Sequence, residues 1–184
     1  SILWRFIIAC SICFIISKIL KLKFRFPIGV HIKMCLLGFF IFSTNFTLFY
    51  YASMNIASGL LAVVFSMASI LNIIMVALLT RSRPKYIQLM ASIIGLTGIT
   101  LIFLPELQVS DLALESLMLC TIGTLSFCSG NLVSDSLQKQ NVPVMSANSW
   151  GMFYGCFILI FYAVILGHPF NIAFDASYIG GLLW

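Results

Sequence analysis

Long apolar runs divide this chain, and the gaps between them sort its charges by sign. Nine of the ten Lys and Arg residues fall in every second gap, and the intervening gaps hold four of the five carboxylates and no base. That alternation is the pattern of a polytopic membrane protein whose basic loops stay on the cytoplasmic side. Composition agrees, with 61% of residues hydrophobic and 8% charged, and a mean hydropathy of +1.11. A water-soluble fold has no interior large enough to hide that much apolar surface. The formal charge of +5 does not point to nucleic acid, because the bases sit at helix ends, where they meet anionic headgroups.

A bilayer crossing takes about 20 apolar residues, so 184 residues allow six or seven spans joined by short loops. The runs place helices at Ile2–Leu20, Val30–Tyr51, Ser58–Leu79, Ile87–Leu104, Leu112–Val133 and Ser149–Leu166. A seventh run starts at Ser177 and stops at Trp184. Pro27, Pro84, Pro105, Pro143 and Pro169 all lie in the proposed connections, where a missing N–H breaks no spanning helix. One side carries Lys18, Lys21, Lys23, Arg25 and Lys33, then Arg81, Arg83 and Lys85, then Lys139; it is read as cytoplasmic, and the membrane as a bacterial inner membrane. The other side carries the uncharged turn around Met54 to Ala57, then Glu106, Asp111 and Glu115, then His168 and Asp175. The first run reads as a span rather than a signal peptide, since it has no basic flank before it and no small-residue cleavage site after it.

Shifting the sequence against itself by 146 positions places Trp4 on Trp150, Ala9 on Gly155 and Cys10 on Cys156, so the first helix resembles the sixth. The stretch Leu36-Leu37-Gly38 of the second helix likewise resembles Ile179-Gly180-Gly181 of the seventh. Each helix is matched to the one five places on, and an odd number of crossings reverses direction, which makes the halves an inverted-topology repeat. The expected fold is an all-α polytopic bundle of six transmembrane helices plus a truncated seventh, part of a 5+5 inverted-repeat transporter. Residues 1–110 would form the first repeat without its first helix, and residues 111–184 the truncated start of the second.

Three stretches carry a family likeness: Phe49-Tyr-Tyr-Ala-Ser-Met-Asn-Ile-Ala-Ser-Gly-Leu-Leu-Ala-Val-Val-Phe65, the glycine-bearing run from Ile87 to Phe103, and Asn148-Ser-Trp-Gly-Met-Phe-Tyr-Gly-Cys156. In these the chain resembles the drug/metabolite transporter superfamily, specifically its EamA-type permeases. The resemblance implies metabolite transport by alternating access, with no catalytic step and no cofactor. Two positions depart from the family pattern. Ser66 to Ser69 stand where the fourth family helix often has proline, and Thr80 and Arg81 where it often ends on an acidic residue.

Polar residues inside the spans are the candidate site. At 100° per residue, Ser43, Thr47, Tyr50 and Met54 share one face, and Ser58, Ala62, Ser66, Ser69 and Asn72 form a second stripe. Small hydroxyl residues serve close helix packing as well as a cavity wall that orients a polar metabolite. The cavity reading takes Ser43, Thr47, Tyr50, Ser66, Ser69 and Asn72 from the first half, and Asn131, Trp150 and Tyr154 from the second. Trp150 reads equally as an interfacial anchor. Gly151 and Gly155, and Ala91 and Gly95, have the small-xxx-small spacing that fixes helix contacts within a bundle or, alternatively, marks a homodimer face.

Other chemistry finds little footing. Cys10 and Cys13 form a CxxC inside an apolar helix, where small-residue packing outweighs redox or zinc binding. His31 and His168 read as single loop residues on opposite sides, and no HExxH, GxSxG or phosphate-loop pattern occurs. Arg5 is placed to snorkel to headgroups, and Asp135 to pair with Lys139 four residues on. Neither a metal nor a cofactor is expected. The reading is therefore a permease, more simply an exporter than an uptake system, whose partners are the bilayer and a small neutral or zwitterionic metabolite. A non-transporting scaffold or accessory subunit is the alternative.

Overall fold

The computed structural model describes residues 2–81, 83–103 and 111–165. Every regular element among them is helical: α1 (Ile2–Ile19), α2 (Ile28–Leu37), a π-helical segment (Gly38–Asn45), α3 (Phe46–Ala52), α4 (Ser58–Ser66), α5 (Ala68–Thr80), α6 (Tyr86–Phe103), α7 (Asp111–Gln138) and α8 (Val144–Ile165). Among the described residues four stretches are long and apolar enough to cross a membrane, Ile28–Ala52, Ser58–Leu79, Leu114–Gln138 and Val144–Ile165, with Tyr86–Leu101 a shorter apolar helix. The seventh apolar run, Ser177–Trp184, lies outside the described residues, as do Glu106, His168 and Asp175.

Burial is inverted relative to a soluble protein. Ser17, Ser43, Thr124, Ser146 and Ser149 are wholly buried, whereas Ile28, Leu78 and Ile87 are each more than 70% exposed. In the four spans no more than 22 to 39% of the most apolar window is buried. Such a surface is stable against lipid and not against water. The chain is a multi-pass membrane protein, all-helical in the regular elements of its described residues.

The helix ends follow local chemistry that apolarity alone does not report. α7 runs five residues past Val133, because Ser134, Asp135 and Ser136 continue the helix into a polar environment, and Asp135 bonds Lys139 across one turn at 2.6 Å. α8 starts at Val144 rather than Ser149, since Pro143 has the fixed φ that suits a first turn and its carbonyl accepts from the Ala147 N–H. Lys21, Arg81 and Asn141 adopt left-handed φ values of 51°, 49° and 57° and stop α1, α5 and α7. At Asn141 the Val142 N–H reaches Leu137 and the Asn141 N–H reaches Gln138, the paired bonds of a Schellman cap.

Two spans are interrupted internally. In Ile28–Ala52 the π segment lies between α2 and α3, and the Ser43 hydroxyl donates to the Gly38 and Phe39 carbonyls at 3.1 and 2.8 Å. In Ser58–Leu79 the helix breaks at Met67 without a proline, and the Ser66 hydroxyl donates to the Val63 carbonyl at 2.6 Å. Hydroxyls that bond back to their own helix bend it, so the serines standing in place of the family proline accompany a break of their own.

The chain divides into two compact units, residues 1–43 with 133–184, and residues 44–132. In the first, Val30, Met34, Leu37 and Phe42 pack with Leu137, Val142 and Ala147. Gly38 lies so close to α8 that an added Cβ would sit 2.5 Å from the Gly151 carbonyl oxygen. In the second, Ala52, Val64 and Cys120 form a core flanked by Phe49, Leu61 and Leu117, and the Phe49 ring lies over Gly123.

Candidate functional site: an uncharged cavity beside a broken helix

Within the 44–132 unit, α4 and α5 meet α6 around a cavity of about 500 Å³. The break at Met67 lies beside its polar wall. Ser66, Ser69 and Asn72, three residues apart, all line it. Ser66 has committed its hydrogen to Val63 and presents only oxygen lone pairs to a second partner. Asn72 Oδ1 is buried and has no hydrogen-bond partner among the described residues.

The opposite wall is α6. Ala91, Ser92 and Gly95 keep it thin, and a Cβ on Gly95 would meet no atom within 4 Å. Leu96 and Ile99 make part of it apolar. Phe65 and Phe127 complete the lining, their ring centroids 5.1 Å apart and their planes tilted by 57°. None of the described lining residues is charged. The volume falls in the range of small-molecule sites, which are mostly apolar with a few convergent polar groups.

The other candidates are placed elsewhere. Ser43 is fully buried, Thr47 is half-buried, and Tyr50 is 52% exposed. The 100° count put them on one face, but a π turn holds more residues than an α turn, so the face drifts across residues 38–45. Asn131 is half-buried on α7.

Trp150 and Tyr154 belong to the other unit, where they surround His31. The Tyr154 hydroxyl is 3.0 Å from His31 Nδ1, and the Trp150 and His31 rings are perpendicular at 4.8 Å. Phe14 packs edge-on to Trp150 at 5.5 Å, whose indole Nε1 is buried without a partner among the described residues. His31 is therefore a helical residue of α2, not a loop residue, because the helix begins directly after Pro27. Lys33 is likewise inside α2, its amine donating to Ser136 at 2.7 Å.

Ala91, Ser92, Gly95 and Phe127 were not expected at the site. The Ala91–Gly95 spacing is visible in sequence, but spacing does not distinguish a filled interface from an open one. The Gly151–Gly155 pair is filled by Gly38, Leu37 and Phe42 of the same unit.

Residues 1–104 match the EamA-like transporter family. The chain belongs to that family. Neither the curated proteins nor the solved structures gave a match. In this EamA-like protein, α4, α5 and α6 lie in the matched region, and Phe127 comes from beyond it. The family is one of transporters rather than enzymes.

Proposed function

We propose that this chain is part of an inner-membrane permease that moves a small polar or amphipathic metabolite by alternating access, in the export direction, around the cavity beside Met67. The observation that carries this reading is the cavity itself, with Ser66, Ser69 and Asn72 on one wall and no charge among its described lining residues. The lining residues come almost wholly from the part of the chain that matches a transporter family.

The proposed architecture is six spans and the start of a seventh, in a 5+5 inverted repeat divided near residue 110, with the basic loops in the cytoplasm. Supporting the repeat, α1 packs on α8. These are the two helices that the shift of 146 makes equivalent, and elements at a two-fold axis meet their own counterparts.

The test is flux. Asn72→Trp and Ser66→Trp in the full-length protein place an indole in the cavity. Each is expected to reduce metabolite flux about tenfold or more at unchanged membrane levels. Unchanged flux in both would remove the cavity from the pathway and leave the scaffold reading.

A further inference from the structure

We infer that residues 21–26, between α1 and α2, bind the phosphate headgroup of an anionic phospholipid through Lys21, Lys23 and Arg25, held in one row. This goes beyond the transport reading and does not depend on the cavity.

Burial alternates residue by residue along this segment. Lys21, Lys23 and Arg25 are exposed, and Leu22, Phe24 and Phe26 are half-buried. A period of two belongs to an extended chain, so the three bases share one face at intervals of about 6–7 Å.

The row is fixed to the helices on either side. At its start Lys21 is left-handed, and the N–H groups of Lys21 and Leu22 donate to the Lys18 and Ser17 carbonyls at 3.1 and 3.0 Å, the paired bonds that cap α1. In its middle the Ser146 hydroxyl of α8 donates to the Lys23 carbonyl at 2.9 Å. Phe24 stacks on Phe14 of α1 at 5.9 Å, and Phe26 packs against the core that holds Val30, Met34 and Leu137. A backbone already ordered in this way loses little freedom when a ligand binds.

The charge of the row is unspent. Asp135 is the one carboxylate among the described residues of this unit, and it is held by Lys139 at 2.6 Å. Among the described residues Lys21, Lys23 and Arg25 make no ion pair. The chain then enters α2, whose N-terminus has no side-chain cap and no acidic residue in its first turn, so the positive end of its dipole adds to the same field. Ring contacts give the depth. Phe14 meets Trp150 edge-on at 5.5 Å, and Trp150 stacks on Tyr154 at 6.0 Å, residue types that sit at the headgroup level of a bilayer. A fixed row of bases at that level matches lipid phosphate, which Arg takes by its fork and Lys as a point charge.

The test is native mass spectrometry of the full-length protein in detergent, titrated with phosphatidylglycerol or with phosphatidylcholine of the same acyl chains. Phosphatidylglycerol is expected to be retained at least about tenfold more tightly than phosphatidylcholine. Lys21→Gln, Lys23→Gln and Arg25→Gln combined should weaken it about tenfold or more. Arg81→Gln, Arg83→Gln and Lys85→Gln combined remove as many charges from the other unit and should change it less than about twofold. Phe24→Ala keeps every charge but removes the ring that seats the row. It should weaken phosphatidylglycerol about threefold or more, and it decides the matter should the triple Gln variant fail to fold. Equal losses in the two triple variants would assign binding to net charge and overturn the inference. So would equal retention of the two lipids, or unchanged affinity in Phe24→Ala. Displacement of phosphatidylglycerol by excess inorganic phosphate would make the occupant a soluble phosphate and overturn the lipid assignment.

Discussion

Asn72 is in conflict with its surroundings. A buried amide oxygen without a donor costs about 1–3 kcal/mol, and Oδ1 of Asn72 has none among the described residues. Asn72→Leu is therefore expected to raise the stability of the protein by about 1 kcal/mol, read as a higher midpoint of thermal unfolding in detergent. A lowered midpoint would mean that the amide is satisfied in the folded state and is structural. Tyr154 presents the opposite case, since its hydroxyl bonds His31. Tyr154→Phe should lower stability by about 0.5–1.5 kcal/mol. The polar character of both residues was legible from the sequence, because polar groups in a span must find a partner or a cavity. Which of the two they had found was not, since that depends on atoms far away in the chain: Tyr154 meets a histidine 123 residues distant.

At the level of elements, two motifs that look alike in sequence have separate fates. Gly38 lies against the backbone of Gly151 and Gly155, and a Cβ there would stand 2.5 Å from a carbonyl oxygen that has no freedom to withdraw. Gly38→Ala should destabilise the protein by about 1–3 kcal/mol. Gly95 looks into open space, so Gly95→Ala should be tolerated and gain up to about 1 kcal/mol of helix propensity. Parallel thermal melts of the two variants test the pair, and equal effects would mean that the two glycines share one environment. Helix existence was readable from apolar runs, and among the described residues four of the expected spans are long and apolar enough to cross a membrane. Their interiors were less legible. Neither the π segment nor the break at Met67 has a proline to announce it, and in both a serine hydroxyl bonds to a carbonyl of its own helix.

For the whole molecule, the charge pattern makes a topological prediction. In a cysteine-free background, a single cysteine at Arg83 or Gln140 should react with a membrane-impermeant maleimide only after cells are permeabilised. One at Asn55 should react in intact cells. The reverse pattern would overturn the cytoplasmic placement of the basic loops.

The sequence by itself determined that the chain lives in a membrane as a set of apolar helices, because lipid imposes a requirement of length and hydropathy that each span meets locally. The same local logic carried the family likeness, which is a pattern of small and apolar residues. Only the tertiary structure decided which small residues close an interface and which leave a space. Ser43 and Ser66 are both serines in apolar runs; one is wholly buried and the other lines a cavity. That difference is made by the neighbouring helix and by local departures from α geometry, and neither is encoded in the spacing of a single span.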